Sequence, residues 1–379
     1  MITRTRAAVA AFALAATFVP QTATAQPPAG AKCVGSLPAA QVAAIRSIAE
    51  RALQQQHISG LTVGVGRNGQ VVFGCGYGLR DRARALPADA DTVYPIGSVT
   101  KQFTATAVML LAADGKVDID APLARYLPNV AHAREVTVRN LLNQTSGIPD
   151  YVHHLPLKDW SSPRFDLTPQ QYAQMLTGSK LAFKPGTKWQ YSNSNYLLLG
   201  MLVSKVSGEP FETFLRERIL EPQHLTTMEY LKRYAASSPD SARPYDYKAK
   251  HFVALSNIPM GWANTAGALA STASDLIKWD AAFFNNRILD ADGVRTMTTP
   301  PKLPIQHTRM QALLRGYAFG WVDGRDHGRT VIWHNGGLPG ARAMNATFPH
   351  DGLEVVVLTN ASTAEPEKIA LAIAGAVGE

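Results

Sequence analysis

Ser98 and Lys101 stand three residues apart in "GSVTKQF", a spacing that lets both side chains share one face of a helix start. A serine hydroxyl becomes a nucleophile only when a neighbouring base takes its proton. A lysine serves as that base only when neutral, and an ordinary solvated lysine is neutral only about once in a few thousand at pH 7. Burial or nearby positive charge must therefore lower its pKa. A helix start also offers unpaired N–H groups, which suit a developing oxyanion. A second candidate group is "YSNSNY", where Tyr191 can relay a proton. Asn193 there can donate to a substrate carbonyl while accepting from an ammonium. The third is "WHNGG", with His334, Asn335, Gly336 and Gly337. Taken singly, each has a plainer reading: a capping serine with a surface lysine, an asparagine-rich cap, and an Asn-Gly turn.

The elements around these residues suggest how they are held. The segment Ala39–Gln55 has helical periodicity, and "LTVGVGRNGQVVFGCGYG" reads as two strands joined at Asn68-Gly69. Gly64, Gly66 and Gly69 match a G-x-G-x-x-G dinucleotide fingerprint, but a strand follows where that motif needs a helix. Ser98–Asp114 reads as a helix with Phe103, Ala107, Leu110 and Leu111 on one face, stopped by Gly115. The region from about 120 to 290 is mostly helical pattern broken by loops such as "SSPDSARPYDYK". The chain ends with the strands "TVIWHN", "ARAMNATF" and "LEVVVLTN" and a final helix. Strands at both ends with helices between them predict an α+β fold. Its antiparallel sheet is built from both termini and flanked by helices, with a mainly helical second lobe and a site between the two.

Composition narrows the class. The 379 residues, 46% hydrophobic and 17% charged, suit a globular chain of one or two domains. A basic "MITRTR", an apolar "AAVAAFALAATFV" and "ATA" before Gln26 form the layout of a secretory signal peptide over residues 1–25. The expectation is an exported protein, periplasmic or secreted, with a linker at 26–38 and one domain over 39–379. The apolar stretch is shorter than the roughly 20 residues of a spanning helix, and no later segment is longer, so no membrane span is expected in the mature chain. Removing residues 1–25 takes Arg4 and Arg6 and lowers the net charge from +8 to +6. The remaining excess is scattered, which argues against a nucleic-acid partner. Cys33 and Cys75 can pair in an oxidising compartment or remain two buried thiols. Two cysteines without a histidine cluster make a structural zinc site a poor fit, and His153-His154 belong to no H-E-x-x-H. A G-x-S-x-G elbow is also absent from the sequence.

Together the three groups resemble the serine β-lactamase and penicillin-binding-protein superfamily, in its class C β-lactamase and DD-carboxypeptidase branch. "YPIGSVTKQF" is similar to that branch's first motif, "YSNSNY" to its Tyr-x-Asn motif, and "WHNGG" falls where its third motif stands on a late strand. "LLNQTSGIPDY", "FKPGTKWQYSNSNYLLLGMLVSKVSGEPF", "LASTASDLIKW" and "YAFGW" also look like segments of the branch, in the expected order from Ala39 onward. The resemblance implies a β-lactamase/DD-peptidase-like fold and acyl transfer through a serine ester, without cofactor or metal. Ser98 would be the nucleophile, with Lys101 and Tyr191 sharing its proton as a coupled pair. Asn193 would hold the substrate amide. The N–H groups of Ser98 and Gly337 would form the oxyanion hole.

The third motif departs from the β-lactamase pattern Lys-Thr-Gly. His334 replaces a fixed ammonium with a group half-charged near neutral pH, and Asn335 keeps a donor but loses the hydroxyl. The motif resembles the His-x-Gly of carboxypeptidase, aminopeptidase and esterase members. The expectation is an exported serine hydrolase of peptides, amides or esters, DD-carboxypeptidase- or esterase-like, with a small-molecule or peptidoglycan-derived peptide substrate. The alternatives are a class C-like β-lactamase and, from another class, a non-catalytic penicillin-binding or ligand-sensing envelope protein.

Overall fold

The computed structural model describes residues 31–156, 165–234, 239–255, 258–303 and 313–378. The leader expected over 1–25 lies outside the described residues. Strand β1 (Val34–Gly35) precedes helix α1 (Ala39–Gln55), and then come β2 (Gly60–Arg67), β3 (Gln70–Asp81) and β4 (Leu86–Pro87). Asn68 and Gly69 join β2 to β3 at φ 49° and 77°, the pair of positive values that a tight I′ hairpin needs. The middle of the chain begins with β5 (Tyr94–Pro95) and α2 (Thr100–Ala113). It continues through α3 (Val138–Leu142), α4 (Pro169–Gln174), α5 (Asn193–Ser207) and α6 (Phe211–Leu215). Short strands follow: β6 (Glu229–Tyr230), β7 (Arg233–Tyr234), β8 (Tyr245–Lys248), β9 (His251–Ala254) and β10 (Ile258–Pro259). Next are α7 (Asn264–Gly267), β11 (Leu269–Ser271), α8 (Ala273–Phe284) and α9 (Ala291–Thr298). These strands of two to four residues are too short to show a period in the sequence, which is why the region reads as helix and loop.

The chain closes with β12 (Gly316–Tyr317), β13 (Val322–Asp326), β14 (Arg329–Leu338), β15 (Ala341–Phe348), β16 (Leu353–Thr359) and α10 (Pro366–Val377). The main sheet runs β1-β3-β2-β16-β15-β14-β13-β12, with β4 on β3, and its pairs are antiparallel. It is therefore built from both ends of the chain. Both faces of β16 are buried: Val355 and Val357 pack toward α1 and α10, and Val356 and Leu358 toward α2 and α8. Burying two faces explains why "LEVVVLT" is a continuous apolar run. Cys33 and Cys75 form a disulfide that ties the segment before β1 to β3.

Two details position the site. First, α2 is buried from Thr100 through Leu111 on every side, and not only along the Phe103-Leu110 stripe that periodicity suggests. Its polar side chains bond within the interior, as when Thr104 Oγ1 donates to the Thr265 carbonyl at 2.6 Å. Second, β14 pairs with β13 only over Arg329–Trp333 but with β15 as far as Leu338. From His334 onward one edge of β14 is open.

Candidate active site

Ser98 sits in a 3-10 turn, Gly97–Val99, which leads into α2 two residues later than the sequence pattern suggests. Gly97 has φ 53°, and a Cβ there would lie 2.7 Å from the Gly337 nitrogen. A Cβ on Gly336 would collide with the Ile96 carbonyl oxygen. The turn and the open edge of β14 thus meet backbone to backbone, and only glycines allow it. This contact brings the Gly336–Gly337 edge, with Gly337 itself exposed, beside half-buried Ser98.

Lys101 is fully buried. Its Nζ lies 3.0 Å from Ser98 Oγ, 2.9 Å from Asn193 Oδ1 and 2.7 Å from the Ala266 carbonyl oxygen. Desolvation pushes its pKa down to about 7, against the opposing pull of Asp150. Asp150 fixes the geometry on the far side, since its Oδ2 accepts from the Asn193 amide nitrogen at 3.1 Å and from Asn193 Nδ2 at 2.8 Å. With Nδ2 so committed, Asn193 must turn its carbonyl oxygen to Lys101. A neutral amine has two hydrogens and one lone pair. Ala266 and Asn193 are both acceptors and take the two hydrogens, so the lone pair is left facing the Ser98 hydroxyl.

Tyr191 completes the group. Burial raises its pKa well above the ordinary phenol value, against the opposing pull of Ser98. Lys101 lies 4.8 Å from its ring centroid. The coupled pair expected from sequence is therefore asymmetric at rest, with a protonated phenol beside an amine that titrates near neutrality.

His334 departs from expectation. It is buried, and desolvation together with Lys101 pushes its pKa down to about 3, so it is neutral at physiological pH and not half-charged. Its Nδ1 lies 2.6 Å from the Asn335 carbonyl oxygen, which can only accept, so Nδ1 carries the hydrogen. Nε2 then accepts from the Tyr317 hydroxyl at 3.1 Å. Asn335 also differs, because successive strand residues face opposite ways. Its side chain points toward α10, where Nδ2 donates to Glu367 Oε1 at 2.6 Å. Asn335, Gly336, Gly337 and Glu367 share the lining of a cleft of about 960 Å³ that runs along the open edge of β14.

The structure thus brings Ser98, Lys101, Tyr191, Asn193, His334, Gly336 and Gly337 together, with Asn335 on the rim. Sequence reasoning alone misses Asp150, the Ala266 carbonyl and Tyr317. Asp150 lies in "SGIPDY", a segment notable in the sequence only for its resemblance, and a main-chain acceptor such as Ala266 leaves no signal in residue types. Among the described residues no group of His, Cys, Asp and Glu could hold a metal ion, and no helix is long and apolar enough to cross a membrane.

The sheet built from both termini and the serine–lysine–tyrosine site beneath its open strand define the serine β-lactamase and penicillin-binding-protein superfamily. The family model for beta-lactamases matches residues 45–378, and the chain belongs to that family. It is 26% identical over 322 residues to Protein flp of Staphylococcus aureus strain MRSA252, covering 83% of this chain but only 62% of that protein. It is also 26% identical over 323 residues to Penicillin-binding protein 4* of Bacillus subtilis strain 168, covering 81% of this chain and 69% of the relative. Among solved structures, a D-stereospecific amidohydrolase from Streptomyces sp. superposes with a TM-score of 0.76 at 28% identity. That match covers 86% of this chain and 96% of the amidohydrolase.

Proposed function

We propose that the protein is an exported serine hydrolase that cleaves a peptide, amide or ester through an acyl-enzyme on Ser98. The observation that carries this reading is the arrangement at Lys101: a buried amine near neutral pKa with its two hydrogens committed and its lone pair toward Ser98. Ser98 Oγ attacks the carbonyl carbon as its proton passes to Lys101. The new oxyanion takes hydrogen bonds from the N–H groups of Ser98 and Gly337, and removing one such donor costs about a hundredfold or more. As the bond to the leaving group breaks, Tyr191 gives that group a proton and regains one through Lys101. Water then cleaves the Ser98 ester by the same relay in reverse.

The neutral His334 speaks against a dedicated β-lactamase, because no fixed ammonium stands at the third motif to attract an antibiotic carboxylate, and the carboxypeptidase- or esterase-like reading rests on the likeness of the motif to His-x-Gly. The structural likeness to a D-stereospecific amidohydrolase supports amide and peptide substrates. Export rests on the layout of residues 1–25, and mass spectrometry of protein from the periplasm or medium should find Gln26 as the new N-terminus. A fluorescent phosphonate or penicillin probe should label the wild type covalently and leave Ser98→Ala unlabelled. Equal labelling of both, or of neither, counts against the mechanism. A panel of D-Ala-D-Ala peptide, nitrocefin and short-chain p-nitrophenyl esters then ranks the substrates.

A further inference from the structure

On the acyl-enzyme reading Tyr191 supplies the leaving group's proton, so the leaving group departs on the side of Ser98 where Tyr191 stands. Tyr191 faces His334, with ring centroids 6.3 Å apart, so the departing part lies by the His334–Asn335 end of the open edge. The charges there are unusual for a site that would bind a carboxylate. Glu367 is half-buried in the cleft lining, in the first turn of α10, where the helix dipole favours a carboxylate. Asn335 Nδ2 holds one of its oxygens in place at 2.6 Å. His334, neutral, adds no positive charge. Two cationic groups share the cleft: Lys248 pairs with Asp246 at 2.8 Å, and Arg342, whose Nη1 donates to the Leu338 and Ala341 carbonyls at 2.6 and 2.9 Å beside Gly337, also acts on Glu367 through its charge.

We propose that Glu367, held by Asn335 in the cleft, makes the enzyme discriminate against substrates whose leaving group is anionic and favour amides or esters whose leaving group is neutral or cationic. This rests on the acyl-enzyme reading and narrows it toward amidase and esterase chemistry, away from release of a C-terminal amino acid. Two unit charges a few ångströms apart in a partly screened cleft shift a rate by about tenfold or more. Because Glu367 is not sealed from solvent, the discrimination should weaken as salt rises.

The test uses three esters of N-acetyl-D-alanine that share one acyl part: with glycolic acid (anionic), with glycolamide (neutral) and with choline (cationic). In the wild type, kcat/KM for the glycolamide ester should exceed that for the glycolate ester by about tenfold or more. Glu367→Gln keeps an acceptor for Asn335 and should shrink that ratio to within about threefold, and Glu367→Lys should invert it. Comparing ratios between enzymes cancels the esters' own reactivities, which matters most for the choline ester. The inference is overturned if the wild type cleaves the glycolate ester as well as the glycolamide ester, or if Glu367→Gln leaves the ratio unchanged. Should neither variant fold, the wild-type ratio decides alone. A wild type that takes up a phosphonate probe at Ser98 but fails to discriminate sinks this inference and leaves the acyl-enzyme reading standing. One that neither labels nor turns over any ester sinks both.

Discussion

Lys101 and Gln102 are neighbours on α2, both without exposed surface, and each anchors a buried polar cluster. Lys101 gathers Ser98, Asn193 and the Ala266 carbonyl. Gln102 Oε1 accepts from Trp279 Nε1 at 3.1 Å and from Asn345 Nδ2 at 3.3 Å, and Asn345 Nδ2 also donates to Asp280 Oδ1 at 2.8 Å. Thr347 Oγ1 closes that second cluster on Asp280 Oδ2 at 3.0 Å. Each holds a titratable group far from its ordinary value: burial lowers Lys101 and raises Asp280. They differ in access. The first cluster reaches solvent through half-buried Ser98 and exposed Gly337, whereas Gln102, Asp280, Asn345 and Thr347 are all buried. A shifted pKa therefore marks burial, and an open strand edge with a nucleophile beside it marks the site.

The comparison breaks if the sealed cluster turns out to matter for turnover more than for stability. Ser98→Ala should give the largest effect, a loss of about 10⁴-fold or more in kcat with the thermal midpoint almost unchanged. Calorimetry beside an ester assay checks both halves. Asp280→Ala should do the opposite. It strands Thr347 Oγ1 in the interior, leaves Asn345 Nδ2 with Gln102 Oε1 alone, and should cost about 3 kcal/mol of stability in denaturant titration. The folded fraction should keep kcat/KM within a few-fold, and a drop comparable to that of Ser98→Ala would erase the distinction.

Gly97→Ala should come next. The new Cβ must push Gly337 away from Ser98 in a backbone of positive φ, and separating the two N–H groups should lower kcat about a hundredfold. The smallest effects lie in pH. With Lys101 required neutral, kcat/KM should fall about tenfold for each unit below about pH 7. Stability should show opposite signs at the two clusters. Because the fold lowers the pKa of Lys101, the unfolded chain holds that proton more readily and stability rises with pH between about 7 and 10.5. The fold raises the pKa of Asp280, so its contribution is fully present below 3.8 and is lost as pH climbs through the raised value. Thermal midpoints across pH for Lys101→Met and Asp280→Asn should each lose one of these slopes.

Much of the molecule is legible where the signal is local. Asn68-Gly69 announces its hairpin because both residues tolerate positive φ, and the ordered likeness of three short motifs picks out Ser98, Lys101, Tyr191 and His334. Other features depend on distance in the chain. Asp150 orients Asn193 from 43 positions away, and nothing in its neighbours marks it as a clamp. The neutrality of His334 comes from burial by the whole site. The opposite facing of His334 and Asn335 follows from strand alternation, once "WHNGG" is taken as strand.

The pairing of β2 with β16 also bears on how the protein is made. The Gly60 N–H bonds Asn360 Oδ1 across 300 residues, and the central sheet joins only when that last strand exists. Ser98 leaves the ribosome long before Gly337, so the growing chain carries the proposed nucleophile without the second N–H of the proposed oxyanion hole. On the proposed function, such an enzyme would be inert throughout its own synthesis. It gains reactivity in one late step, and contacts of such long sequence separation make that step slow.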